Sequence, residues 1–317
     1  MTFSQHVKEE ILAGLKDALP CCRLACLSAL LRGAGSLEIR SGRLGCTSEN
    51  IKLLEFAQEI VFSLYGLKTE LKREDAKIKG NSLWSVFVAE EKTLSDCGLA
   101  SLSEEGYLKI NEGIDKYIVE QDCCLNSYVA ALFAACGSIT VSPLKTLDEQ
   151  AGNRFGYHFE FALTSRRAAE DLVSLLGEKG FRFKIAERKN AWAVYIKDSA
   201  SICDMLAYVR ADNAVLKLNN LLIEREIRNN ANRQKNCITA NIDKSVDASE
   251  KQIAAINKIR AREGMFDRIA PHLKEIAVAR AENPFSTLDE LADKLGLTKS
   301  CVNHRLRKLV ETASRLP

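Results

Sequence analysis

Leu27-Ser28-Ala29-Leu30-Leu31-Arg32-Gly33-Ala34-Gly35-Ser36-Leu37 and Val129-Ala130-Ala131-Leu132-Phe133-Ala134-Ala135-Cys136-Gly137-Ser138-Ile139 share one plan. Each is a helix rich in small residues that stops at a glycine and passes into a strand, and Gly137 falls 102 residues after Gly35. The next segments match as well. Thr47-Ser48 precedes a helix over Glu49–Tyr65, and Thr164-Ser165 precedes another over Arg166–Glu178. Each ends near a glycine, Gly66 or Gly180, and leads into alternating strands. In Phe181–Ile185 apolar side chains take one strand face and basic ones the other. Leu83–Val88 and Ala191–Ile196 then give each half a strand containing a tryptophan, Trp84 or Trp192. The expectation is one α+β unit used twice.

The 317 residues suggest about two domains of ordinary globular composition, with 46% hydrophobic and 27% charged residues. The apolar stretches Leu24–Leu31 and Val129–Cys136 are too short to span a bilayer. No secretory signal is recognisable, so the expected location is cytoplasmic, with no membrane partner. The 11 cysteines are odd in number, include the adjacent pairs Cys21-Cys22 and Cys123-Cys124, and form no Cys-x-x-Cys. With His6, His158, His272 and His304 scattered, zinc spacing is absent. The cysteines read as buried, reduced thiols, and no metal site is expected.

Charge is unevenly spread. Residues 210–317 carry 20 Lys+Arg and 14 Asp+Glu, a net of +6, whereas residues 1–209 carry 25 and 28, a net of −3. The basic third is the part expected to meet phosphate. Residues 203–230 look helical. Asn229–Asn236 breaks that pattern and reads as a turn or linker, because Asn competes with the backbone for hydrogen bonds. Helical periodicity resumes near Ser249 and runs to Glu282, interrupted around Gly264 and Pro271.

Residues 284–313 carry the clearest pattern. Ser286 with Asp289, or Thr287 with Glu290, gives a capping box before Leu288, Leu291 and Leu295. Gly296 ends that helix, and Thr298 caps a second one with Val302, Leu306, Leu309 and Val310 on one stripe. Two short helices across a glycine-containing turn are a helix-turn-helix. Outward on the second helix stand Lys299, Ser300, Asn303, His304, Arg305, Arg307 and Lys308, with no acid from 299 to 310. Lys299, Ser300 and Asn303 suit base edges; Arg305, Arg307 and Lys308 suit phosphates. A merely solvated face is the bland alternative. The coincidence of caps, turn, apolar stripe and one-sided charge favours double-stranded DNA.

Both repeated helices resemble the signature motif of the LAGLIDADG homing endonucleases, in which an acid before the motif glycine holds Mg²⁺. Here those positions are Ala34 and Cys136. Alanine offers no ligand and cysteine a soft one, so nuclease chemistry is not expected. Glu70-Leu71-Lys72 has no partner acid, and no glycine-rich phosphate loop is present. The small residues read instead as sites of close helix packing. Lys68, Lys72, Arg182, Lys184 and Arg188 lie in or beside strands, where any contact with DNA would be auxiliary.

A degenerate LAGLIDADG repeat joined to a C-terminal helix-turn-helix resembles the WhiA family of bacterial regulators over essentially the whole chain. Arg32–Leu37, Asn232-Arg233 with Asn236-Cys237 and Thr239-Ala240-Asn241, and Ser300–Leu309 carry the likeness. The resemblance implies a duplicated LAGLIDADG-like α+β domain, with two pseudo-symmetric repeats and a β-sheet saddle, before an all-α helix-turn-helix domain. The expected divisions are 1–120, 121–209, 210–248 (helix and Asn-rich linker) and 249–317. The resemblance also implies a non-catalytic DNA-binding regulator of cell division, chromosome segregation and, in spore formers, sporulation. An RNA polymerase sigma factor or cell-division proteins are candidate partners; no cofactor or small-molecule substrate is expected. Arg233, Lys235 and Lys244 are candidate auxiliary phosphate contacts, although the Asn residues around them fit a structural role as well. The alternative reading is a protein-interaction scaffold whose DNA binding is incidental.

Overall fold

The computed structural model describes residues 2–38, 43–78, 81–88, 91–102, 108–141 and 156–316. They divide into two compact units, Met1–Glu224 and Arg225–Pro317.

The first unit opens with α1 (Phe3–Leu15), closed at its start by a capping box between Thr2 and Gln5. The first repeat is α2 (Pro20–Gly33), β1 (Gly35–Glu38), β2 (Arg43–Ser48), α3 (Ile51–Tyr65), β3 (Leu71–Ile78) and β4 (Asn81–Val88). A connection then runs through α4 (Glu91–Asp96), β5 (Ala100–Leu102), β6 (Leu108–Ile110) and a 3-10 turn at Tyr117–Val119. The second repeat is α5 (Asp122–Cys136), β7 (Gly137–Thr140), β8 (His158–Leu163), α6 (Arg166–Glu178), β9 (Lys184–Arg188) and β10 (Ala191–Ile196). The strand orders β1-β2-β4-β3 and β7-β8-β10-β9 are the same antiparallel plan used twice. Equivalent registers recur: Gly35 opposes Cys46, and Gly137 opposes Phe161.

α2 and α5 form the centre of this unit, with Leu27, Ala29, Leu30, Val129, Ala131 and Leu132 fully buried. Their close approach has a visible cause. A Cβ placed on Gly33 would lie 2.8 Å from the Cβ of Ala135 and 3.2 Å from Cys136 Sγ. Gly33 and Ala135 are themselves 102 residues apart, so equivalent positions of the two repeats meet at the C-terminal ends of the helices. Aromatic packing fills the second repeat, where Phe133 stacks on Phe159 at 4.5 Å and meets Phe161 edge-on at 5.8 Å. The strand expected from Phe181 begins only at Lys184. Phe181 and Phe183 instead turn their rings inward, against Tyr208 and against Phe159 and Phe161.

Two expectations for residues 203–248 are corrected. A break at Val209–Ala211, where Arg210 adopts a φ of 59°, separates α7 (Ser199–Tyr208) from α8 (Asp212–Arg260). The Asn-rich stretch is not a turn but the middle of the 49-residue α8. Asn costs only about 0.5–0.7 kcal/mol per position relative to Ala in a helix, and no Gly or Pro interrupts 212–260. Residues 229–248 are exposed all round, so no apolar face holds this part of the helix and its backbone hydrogen bonds carry it. The second unit continues with α9 (Met265–Arg268), α10 (Pro271–Glu282), α11 (Leu288–Leu295) and α12 (Lys299–Ser314).

Candidate nucleic-acid interface

Local sequence dictates the α11–α12 corner. Of the two capping boxes the sequence allows, Thr287 with Glu290 forms: Thr287 Oγ1 accepts from the Glu290 amide at 3.2 Å, and Glu290 Oε2 accepts from the Thr287 amide at 2.8 Å. At the other end Gly296 takes the left-handed conformation (φ 63°), which an L side chain would strain. The Leu297 amide folds back to the Ala292 carbonyl at 2.9 Å. Thr298 Oγ1 then accepts from the Cys301 amide and starts α12. Three residues, 296–298, therefore separate the helices.

Val302, Leu306 and Leu309 are fully buried and share one core with Leu273, Ile276 and Ala277 of α10, Leu291 and Ala292 of α11, and Ile256 and Ile259 of α8. Arg280 is buried behind the corner, where its Nη1 donates to the Ser286 carbonyl at 2.6 Å; burial lowers its pKa. With one stripe of α12 fixed inward, the opposite face is set. Lys299, Ser300, Asn303, His304, Arg307 and Lys308 are all exposed, at the i, i+1, i+4, i+5, i+8, i+9 spacing of a single helix face.

Arg305 departs from the expectation that it faces outward. Its side chain is only 18% exposed and lies toward α10, where Nη1 reaches Glu275 Oε2 at 3.3 Å and the His272 carbonyl at 3.4 Å. It stands three positions after buried Val302, which turns it to the margin of the apolar stripe. Lys299 remains exposed but is paired with Asp289 at 2.7 Å. Arg233, Lys235 and Lys244 all lie exposed on α8. Arg233 and Lys244, eleven residues apart, share a helix face, while Lys235 lies about 200° round from Arg233.

Of the two residues expected at the nuclease-acid positions, Ala34 caps α2 and Cys136 is the last residue of α5. Cys136 Sγ donates to the Leu132 carbonyl at 3.4 Å, and burial pushes its pKa up to about 12, eased by the nearby Lys8 ammonium. Of the basic residues beside strands, Lys68, Lys72, Arg182 and Lys184 are exposed, and Arg188 is tied to Glu160 at 2.8 Å.

Burial likewise pushes the thiols of Cys26, Cys46 and Cys97 up to about 12, which fits inert core cysteines. Cys21, Cys22, Cys123 and Cys124 behave differently: their four Sγ atoms lie within 4.8 Å of one another. The spacing rules for metal motifs miss this group because its two halves are 102 residues apart. That offset equals the Gly35–Gly137 offset, and it is the signal by which the sequence could have disclosed the group. Among the described residues, no helix is long and apolar enough to cross a membrane.

The class defined by this architecture is a duplicated LAGLIDADG-like α+β domain followed by a helix-turn-helix domain. Family models match in the same order: the WhiA N-terminal LAGLIDADG-like domain over 20–100, the WhiA LAGLIDADG-like domain over 125–228, and the WhiA C-terminal HTH domain over 231–313. The chain is 32% identical over 323 residues to "Probable cell division protein WhiA" of Desulforudis audaxviator, covering 100% of this chain and 98% of that protein. It is 33% identical over 325 residues to the protein of the same description in Thermoanaerobacter pseudethanolicus, again over 100% and 98%. The fold matches the crystal structure of full-length DUF199/WhiA from Thermatoga maritima with a TM-score of 0.60 at 21% identity, over 100% and 99% of the two chains. The chain belongs to the WhiA family.

Proposed function

We propose that this protein is a non-catalytic, sequence-specific binder of double-stranded DNA that acts as a regulator in cell division and, in a spore former, in sporulation. The observation that carries the reading is the exposed face of α12. It bears three cations and two short polar side chains, and its inward stripe is locked into a core shared with α8, α10 and α11. Such a helix places donors at its N-terminal end for base edges and cations further along for phosphates. Lys299, Ser300, Asn303 and His304 take the first role, and Arg307 and Lys308 the second. Arg305 supports the helix from its flank; Arg233, Lys235 and Lys244 are auxiliary cations. The relatives' description as probable cell division proteins supports the biological setting.

Ala34 and Cys136 at the nuclease positions support the absence of catalysis, since neither supplies the carboxylate oxygens that Mg²⁺ demands. The test is fluorescence anisotropy on genomic fragments that the protein enriches. Binding that falls steeply with salt and weakens with Arg307→Ala and Lys308→Ala supports the reading. Affinity indifferent to both variants overturns it.

A scaffold for a sigma factor or division proteins is the second reading. It is favoured by the net −3 charge of residues 1–209, which suits protein partners better than phosphate. Recovery of the same partners by the parent and by a full-length Arg307→Ala/Lys308→Ala variant that no longer binds DNA would favour it.

A further inference from the structure

The two repeats meet through equivalent residues at both ends of the α2–α5 pair. Gly33 against Ala135 marks the C-terminal ends. At the N-terminal ends, Pro20 and Asp122 open the helices, and Cys21-Cys22 and Cys123-Cys124 take the next two positions of each. Because the helices run parallel, the duplication delivers two vicinal thiol pairs to one spot. Sγ of Cys21 and Cys22 are 3.9 Å apart, those of Cys123 and Cys124 are 4.0 Å apart, and all four lie within 4.8 Å of one another.

We propose that these four cysteines bind a single thiophilic metal ion, Zn²⁺ by preference, as a tetrathiolate that clasps the two repeats together. Tetrahedral Zn–S bonds of about 2.3 Å place the sulfurs about 3.8 Å apart, so the set needs to contract by about 1 Å at most. Thiolates select soft and borderline ions over Mg²⁺ or Ca²⁺. An iron–sulfur cluster interposes bridging sulfides and spreads its ligands wider than this group stands. Two helix N-termini converge on the site and offset the negative charge of four thiolates, with first-turn amides available to the sulfurs. Arg210 adds a cation to the cleft of about 190 Å³ that Cys22 and Cys123 line. Cys22 and Cys124 are buried, which fixes half of the ligand set; Cys21 and Cys123 are exposed and give the ion its way in.

The test uses the full-length protein, stripped of metal and kept reduced, titrated with Co²⁺ and then Zn²⁺. One equivalent of Co²⁺ is expected to give the intense thiolate charge-transfer and visible bands of a tetrahedral site, and Zn²⁺ is expected to bleach them. Cys21→Ser with Cys123→Ser, a pair chosen on the solvent side so that the core is spared, should lose these bands while retaining the parent far-ultraviolet dichroism. Cys237→Ser and Cys301→Ser should leave the bands unchanged. Zn²⁺ should also protect Cys21 and Cys123 of the parent from alkylation. No stoichiometric tetrathiolate spectrum, bands that survive in the double variant, or alkylation indifferent to Zn²⁺ would overturn the proposal. So would protein isolated anaerobically with the two pairs joined as disulfides.

Discussion

Lys299 Nζ stands 2.7 Å from Asp289 Oδ2, an ion pair that ties the first turn of α12 to the first turn of α11. Both side chains are exposed, at 61% and 63%, so the pair contributes at most about 1 kcal/mol to stability. Its consequence for recognition is larger. A phosphate or base edge that engages Lys299 must draw it away from Asp289, and the acid repels the approaching backbone. Asp289→Asn should therefore tighten DNA binding several-fold at low salt, with the gain shrinking as salt screens the acid. Parent and variant binding equally at low salt would refute this competition.

Arg305 and Arg307 are two positions apart and should behave as different kinds of residue. Arg307 is exposed on the outer face. Arg307→Ala should weaken binding to all sequences alike and reduce the slope of log affinity against log salt by about 1. Arg305, held by Glu275 and the His272 carbonyl, should show its effect mainly in unfolding. Arg305→Ala should destabilise the second unit by about 1 kcal/mol through lost packing and hydrogen bonding, at nearly the parent salt slope. Asn303→Ala should instead erode preference between sequences, by about 1–3 kcal/mol if it reads a base edge in two places. Competition binding against scrambled DNA at several salt concentrations separates Arg307→Ala from Asn303→Ala, and chemical denaturation registers Arg305→Ala.

The duplicated fold is legible because its repeat carries backbone constraints that sequence displays directly. Gly33, Gly35 and Gly137 are small because neighbouring atoms leave no room for a Cβ. The helix-turn-helix is legible through Thr287, Gly296 and Thr298, whose side chains or conformations fix the ends of the helices locally. The features that escape depend on weak preferences or on distance. Asn229–Asn236 reads as a break because each Asn disfavours helix, yet the preference is too small to interrupt a long run without Gly or Pro. Arg305 reads as an outward cation when charge is weighed before its angular position beside Val302. Cys21 and Cys123 can be joined only by applying the repeat offset to residues that no local motif connects.

The Gly33–Ala135 contact offers a test of the packing that the repeat creates. With 2.8 Å between a new Cβ and that of Ala135, Gly33→Ala forces the two central helices apart. Overpacking of this kind costs about 1–3 kcal/mol, against which the helix-propensity gain of about 1 kcal/mol from replacing Gly works in the opposite direction. A net loss of stability is expected. Ala135→Gly should relieve it, so the double variant should lie above the sum of the two single effects in chemical denaturation. Additive effects would place the contact elsewhere.

Glu160 gives the first unit a dependence on acid. Burial works to raise its pKa, but the hydrogen bond with His158 at 2.8 Å, the Arg188 charge at 2.8 Å and the Ser138 hydroxyl at 3.1 Å outweigh it, and its pKa is held below the ordinary carboxylate range. The native state thus binds this proton less readily than the unfolded chain does. The stabilisation is fully present above the unfolded value of about 4.3 and is lost as pH falls through the lower folded value. Glu160→Gln removes the titrating group. It should lower the melting temperature of the first unit at neutral pH, where the Arg188 ion pair is lost and the His158 and Ser138 contacts are weakened, and should flatten the fall in melting temperature on acidification below about pH 4.3. Scanning calorimetry across that range checks the sign: a variant whose acid limb runs parallel to that of the parent would show that Glu160 is not among the groups whose protonation unfolds this unit.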